Sequence, residues 1–198
     1  MKLAVARWRA AAFHLNFLSA IGDTMTLEAL REAIPDYAKD IRLNLSSIVN
    51  ETLLNEQQKW GAILAAAHAT GVRSLIDAAN ADAEAKLTPE AVTAAKAAAA
   101  LMAMNNVYYR SLHLMKNQEY TTLRTGLRMN IMANPGVDKG DFEFWSLVVS
   151  AMSGCGVCLD AHEEELRKRD WPATHVQTGV RIGAVVAAAA AVFRAEGV

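Results

Sequence analysis

Apolar residues recur at intervals of three and four along nearly the whole chain, and no stretch alternates apolar with polar at every second position. The first pattern lays one face of a helix against a core, whereas a half-buried strand needs the second, so the chain is expected to be all-α. Periodicity and end signals predict helices near 26–33, 36–49, 55–69, 71–84, 89–109, 117–133, 139–152, 155–169 and 173–195. Thr88-Pro89-Glu90 and Trp171-Pro172-Ala173 read as helix starts, because proline in the first turn gives up no intrahelical hydrogen bond. Asn134-Pro135-Gly136 is the strongest break and separates two halves.

The halves, about 50–110 and 135–195, match when shifted by 85 residues: Trp60 falls on Trp145, Thr93 on Thr178 and Lys96 on Arg181. An internal two-fold repeat is therefore expected, with chance similarity between Ala-rich helices as the alternative. At this offset Gln58, Thr70, Arg73 and Asp77 stand opposite Glu143, Cys155, Cys158 and His162. The fold would then not require the latter four, which points to chemistry as the reason for them.

Composition narrows the partners. A chain of 198 residues, 53% hydrophobic with net charge −1, has no basic surface for nucleic acid and no acidic tail. The longest apolar run, 183–193, is about half of the roughly 20 residues that span a bilayer and is mostly Ala, so it reads as a packing helix and no membrane partner is expected. Residues 1–24 carry Lys2, Arg7 and Arg9 with no acid before Asp23 and distantly resemble a targeting peptide, but His14 and Asn16 interrupt the apolar part. They are expected to be a dispensable extension, or a start placed too early, with Met25 opening a single domain over 25–198. The only two cysteines lie in one motif, which argues against a secreted disulfide framework and for the cytoplasm, where thiols cycle.

That motif is Gly154-Cys155-Gly156-Val157-Cys158-Leu159-Asp160-Ala161-His162. Two thiols three positions apart on a helix have Cβ atoms about 5–6 Å apart, so they can close to a disulfide and reopen without moving the fold. A loop this short removes little entropy from the unfolded chain, so stability is a poor reason for the pair. On a helical wheel Cys155, Cys158 and His162 fall within about 60° and share a face. Cys155 is expected near an exposed helix start, and Cys158 one turn deeper with His162 at i+4 to take its proton. Two readings of Glu143 stand at this point: a solvated helix-start acid, or a carboxylate that orients His162. Glu163 to Glu165 followed by Arg167 to Arg169 read as a solvated, i+4-paired face, and Met102, Met104, Met115, Met129 and Met132 as core fillers. Zinc held by Cys155, Cys158, His162 and Glu143 is a rival, although a Glu in such a set is uncommon. A thioredoxin-like site would need a strand before the motif, where this chain is expected to be helical.

Glu143, eleven intervening residues, then Cys155-x-x-Cys158-x-x-x-His162 resembles the alkyl hydroperoxidase D (AhpD) family, and so does Ala33-Ile34-Pro35-Asp36-Tyr37-Ala38-Lys39-Asp40 near the start. The resemblance implies an all-helical fold of the carboxymuconolactone decarboxylase type, as a homotrimer without a bound cofactor. It implies a thiol peroxidase that reduces alkyl hydroperoxides and its partner peroxiredoxin AhpC. Electrons would come from the lipoyl group of a 2-oxoacid dehydrogenase-complex acyltransferase. Carried over by position, Cys158 would be the peroxidatic thiol, Cys155 the resolving thiol and proton donor, and Glu143 with His162 the proton relay. Some relatives carry His where this chain has Val157, which puts turnover rate in question more than reaction type. The alternatives are a decarboxylase of that fold, which does not need two thiols, and a non-catalytic redox sensor, for which no partner element is evident.

Overall fold

The computed structural model describes residues 25–198, so the expectation for 1–24 lies outside the described residues. The described chain is helical throughout, without a strand. Its helices are α1 (Leu27–Glu32), α2 (Lys39–Val49), α3 (Glu56–Thr70), α4 (Arg73–Glu84), α5 (Pro89–Leu114), α6 (Glu119–Thr122), α7 (Lys139–Ser153), α8 (Gly156–Arg167) and α9 (Ala173–Glu196).

Local chemistry sets most of the boundaries. Asn55 and Gln58 form a reciprocal capping box at the start of α3, Thr88 caps α5 ahead of Pro89, and Asp138 caps α7. Helices α3 and α7 both end on a left-handed glycine, Gly71 at φ +69° and Gly154 at φ +64°. A 15-residue helix, a left-handed glycine and a 12-residue helix thus occur twice, 83 residues apart. In that register Trp60, Val72, Leu75 and Ala79 stand opposite Glu143, Cys155, Cys158 and His162. The tryptophan match behind an offset of 85 is displaced from the backbone landmarks by two residues.

Helices α3 and α7 pack on each other and on both α5 and α9, and α8 lies across α7 and α5. At the centre is α7, where every residue from Gly140 to Ser150 is buried. Phe142, Phe144, Trp145 and Phe193 are fully enclosed, each stabilising the fold by roughly 2–3 kcal/mol relative to an exposed ring. Alanine at buried positions of α3, α5 and α9 lets the axes approach closely, and α3 meets α7 where Gly61 faces the Trp145 ring. The 24-residue α9 is long and apolar enough to cross a bilayer, yet it packs against α2, α3 and α7 with most of its apolar stretch inside.

One expected helix does not form. Within 117–133 only Glu119–Thr122 is helical, the chain is irregular from Leu123 to Met129, and a short 3-10 turn follows at Asn130–Met132. Gly126 takes φ +67°, and Tyr120 and Leu123 are exposed. A helix in water draws its stability from packing an apolar face, and here Ile131 and Met132 reach the core from the 3-10 turn while Tyr120 and Leu123 stay exposed.

Candidate active site

The turn from α7 into α8 builds the site. Left-handed Gly154 stops α7 and redirects the chain, so that Cys155 becomes the N-cap of α8 and its backbone N–H donates to the Ser150 carbonyl at 3.2 Å. Cys158 sits in the first turn of α8, and the two are joined as a disulfide with Cα atoms 5.3 Å apart. Cys155, expected near an exposed helix start, is instead completely buried at 0% exposure. It lies under the α7–α8 corner, while Cys158, at 7%, is the sulfur that reaches a cavity.

His162 follows one turn after Cys158 on α8 and is 6% exposed. Its Nδ1 lies 2.6 Å from Oε2 of Glu143, itself 3% exposed on α7, so the carboxylate is no solvated helix-start acid. A carboxylate accepting from Nδ1–H fixes the imidazole in the tautomer whose Nε2 is free to take a proton. That Nε2 lies 3.2 Å from Sδ of Met102, a weak acceptor available whenever Nε2 carries hydrogen. Two residues before Glu143, Asp141 accepts from Gln57 Nε2 at 2.6 Å, and its burial pushes its carboxyl above the usual range.

The cavity beside Cys158 and His162 encloses about 330 Å³. Met102, Tyr109, Met129, Met132 and Val157 make its wall almost wholly apolar, and Asn105 adds a polar group. Met129 and Met132, read as core fillers, come from the irregular segment after α6 and close one side. Val157 occupies the rim and offers no proton-carrying group there.

Sequence reasoning missed the contribution of α5. Asn106 donates to Ser153 Oγ at 3.1 Å and to the Val149 carbonyl at 3.4 Å, and accepts from Ser150 Oγ at 2.9 Å. Arg110 donates to the Ser153 carbonyl at 3.0 Å. Together they tie down the last turn of α7, from which the cysteine corner departs. The readable signal was two adjacent asparagines, poor helix formers, inside an Ala-rich helix, on a stripe with Met102, Tyr109 and Arg110.

The expected solvated face of α8 is present, with Glu163–Arg167 and Glu164–Lys168 pairs at 3.9 and 2.8 Å. Among the described residues no group of three or more His, Cys, Asp or Glu side chains is placed to hold a metal ion.

The sequence model of the carboxymuconolactone decarboxylase family matches residues 118–198, which contain the cysteine motif, Glu143 and His162. Over 172 residues, 87% of this chain, the sequence is 59% identical to an alkyl hydroperoxide reductase AhpD of Maricaulis maris, covering 99% of that protein. The AhpD of Hyphomonas neptunium is also 59% identical over 172 residues and 96% of its length. That of Frankia alni is 54% identical over 171 residues and 92% of its length.

Proposed function

Since the chain belongs to the AhpD family, within the carboxymuconolactone decarboxylase-type superfamily, we propose that it is an alkyl hydroperoxide reductase working through Cys158, Cys155, His162 and Glu143. The observation that carries this reading is the buried line from Glu143 through His162 to the wall of an apolar cavity that Cys158 also lines.

The cycle starts from the reduced pair. The Cys158 thiol gives its proton to His162 Nε2, and the Glu143 carboxylate stabilises the imidazolium that results. The thiolate attacks the terminal oxygen of R–O–OH; an S–O bond forms, the O–O bond breaks, and alkoxide leaves. Cys155 donates its proton to the alkoxide to give the alcohol, and its own thiolate attacks the Cys158 sulfenic acid. Hydroxide departs with the proton from His162 as water, leaving the disulfide. A dithiol then restores both thiols by exchange. The dithiol is the dihydrolipoyl group of a 2-oxoacid dehydrogenase-complex acyltransferase, and the reduced pair can also reduce the disulfide of an AhpC-type peroxiredoxin. Both assignments follow from the family resemblance and suit a cytoplasmic protein.

The proposal extends to a homotrimer, because Ala-rich α5 and α9 bury little area each and gain from neighbours, and Val107, Leu114 and Leu123 are more than half exposed. Light scattering at micromolar concentration should give about three times the 21.4 kDa chain mass, and a monomer mass would remove this part. The activity is tested with tert-butyl hydroperoxide and pre-reduced protein. One equivalent should be consumed without a donor and many with dihydrolipoamide; absence of consumption in both would overturn the reading.

A further inference from the structure

Asn105 is 6% exposed and lines the cavity that Cys158 and His162 also line, and its enclosed Oδ1 has no hydrogen-bond partner. A buried carbonyl oxygen left unpaired costs free energy that a structural role does not repay, and its neighbour Asn106 on the same helix is paired at both ends. The carboxamide stands in the wall of the space where Cys158 reacts, and the other walls, Met102, Tyr109, Met129 and Met132, offer an incoming molecule almost only apolar contact.

We propose that Asn105 is the substrate-binding group of the cavity: on a turn of its carboxamide, the Oδ1 that is enclosed and unpaired accepts a hydrogen bond from the O–H of a hydroperoxide whose alkyl part lies against the methionines and Tyr109. A hydroperoxide has one donor hydrogen, carried by the oxygen that the thiolate attacks. An acceptor that engages this hydrogen turns the terminal oxygen towards Cys158 and leaves the other oxygen as the leaving group. A carboxamide also sets a donor beside its acceptor, and Nδ2–H2 can give a hydrogen bond to the oxygen on which negative charge develops as the O–O bond breaks. The S–O bond forms, the O–O bond breaks, and the proton reaches the alkoxide from Cys155 as before, so Asn105 gains and loses nothing. The inference rests on the peroxide-reducing role of Cys158 and deepens it.

The test uses the full chain in a Cys155→Ser background, so that Cys158 is the only thiol, and follows loss of that thiol by stopped flow. Two reagents are compared: tert-butyl hydroperoxide, which offers an O–H, and methyl methanethiosulfonate, which offers none. Asn105→Leu should slow the peroxide reaction by about 10- to 100-fold, as expected for loss of an oriented hydrogen bond in a water-poor site, and leave the thiosulfonate reaction within about twofold. Asn105→Ala repeats the comparison with a smaller side chain should the leucine protein fail to fold. A wild-type peroxide rate retained in either folded variant overturns the inference alone, as does an equal fall with both reagents, which would mean that Asn105 acts on the thiol. A parent protein whose Cys158 reacts with the thiosulfonate but not with peroxide overturns the functional reading itself.

Discussion

Replacing Glu143 by Gln tests the relay most directly, because the new side chain keeps volume and a hydrogen-bond acceptor at His162 Nδ1 and removes only the charge. Glu143 and His162 are 3% and 6% exposed and 2.6 Å apart, so little water screens them. Charges about 4 Å apart in an effective dielectric of about 20 attract by about 4 kcal/mol, which bounds the loss at roughly three decades. The lower bound comes from the thiol: an unassisted cysteine with pKa about 8.5 is roughly 3% ionised at pH 7, a deficit of about 30-fold. Oxidation of reduced Cys158 by tert-butyl hydroperoxide should therefore slow by about 30- to 1,000-fold at pH 7. At pH 9.5 an unassisted thiol ionises by itself, and most of the deficit should close. Stopped-flow measurement of thiol loss at both pH values decides the matter. A Gln variant as fast as wild type at pH 7, or equally slow at both pH values, would refute the assignment of Glu143 as the charge behind the base.

The thiols should fail differently when removed one at a time: Cys155→Ser should accumulate a sulfenic acid on Cys158 that dimedone labels, and Cys158→Ser should give no labelled species, whereas labelling of Cys155 at a similar rate would reverse the roles. Gly61→Ala would put a Cβ well inside 3.0 Å of the enclosed Trp145 ring. Against an enclosed ring the cost falls in the upper part of the overpacking range, about 2–3 kcal/mol, and after a helix-propensity gain of about 1 kcal/mol it leaves about 1–2 kcal/mol. Tm should therefore fall by about 2–8 °C, and an unchanged Tm would show that α3 and α7 separate freely. Burial holds the Asp141 carboxyl above its ordinary value, so its charged form costs stability at neutral pH despite a favourable place in the first turn of α7. Asp141→Asn should melt at or above wild type at pH 7. As the pH falls through the raised pKa towards the ordinary value near 3.9, the wild type takes up its proton and should gain relative to the variant; a widening advantage for Asn in acid would contradict this.

What could be read along the chain was what depends on neighbours three and four residues away. The spacing of Cys155, Cys158 and His162 is such a feature, and so is the helix start at Thr88-Pro89. Glu143 was ambiguous because α7 is buried on all sides from 140 to 150, so no polar face exists against which a buried acid would stand out. Burial of Cys155 depends on the corner at Gly154, and the cavity depends on α5 crossing α8. Neither leaves a periodic trace, and the adjacent Asn105 and Asn106 mark α5 as unusual without showing what it faces. The stretch 117–133 has the composition of a helix, but Leu123 and Tyr120 found no partner surface, and propensity alone did not hold the helix together.

In the disulfide form one sulfur is reachable and the other is sealed. A reducing thiolate must therefore strike Cys158, with Cys155 as the leaving group, and it must come through the opening that admits the peroxide. Oxidant and reductant share one doorway and cannot occupy it together, so the two half-reactions alternate. Steady-state kinetics of such an enzyme give parallel double-reciprocal lines, and each reactant in excess inhibits by occupying the form meant for the other. Among the described residues the cavity at Cys158 serves both reactants, and sharing it imposes a ping-pong order that no regulatory element is needed to enforce.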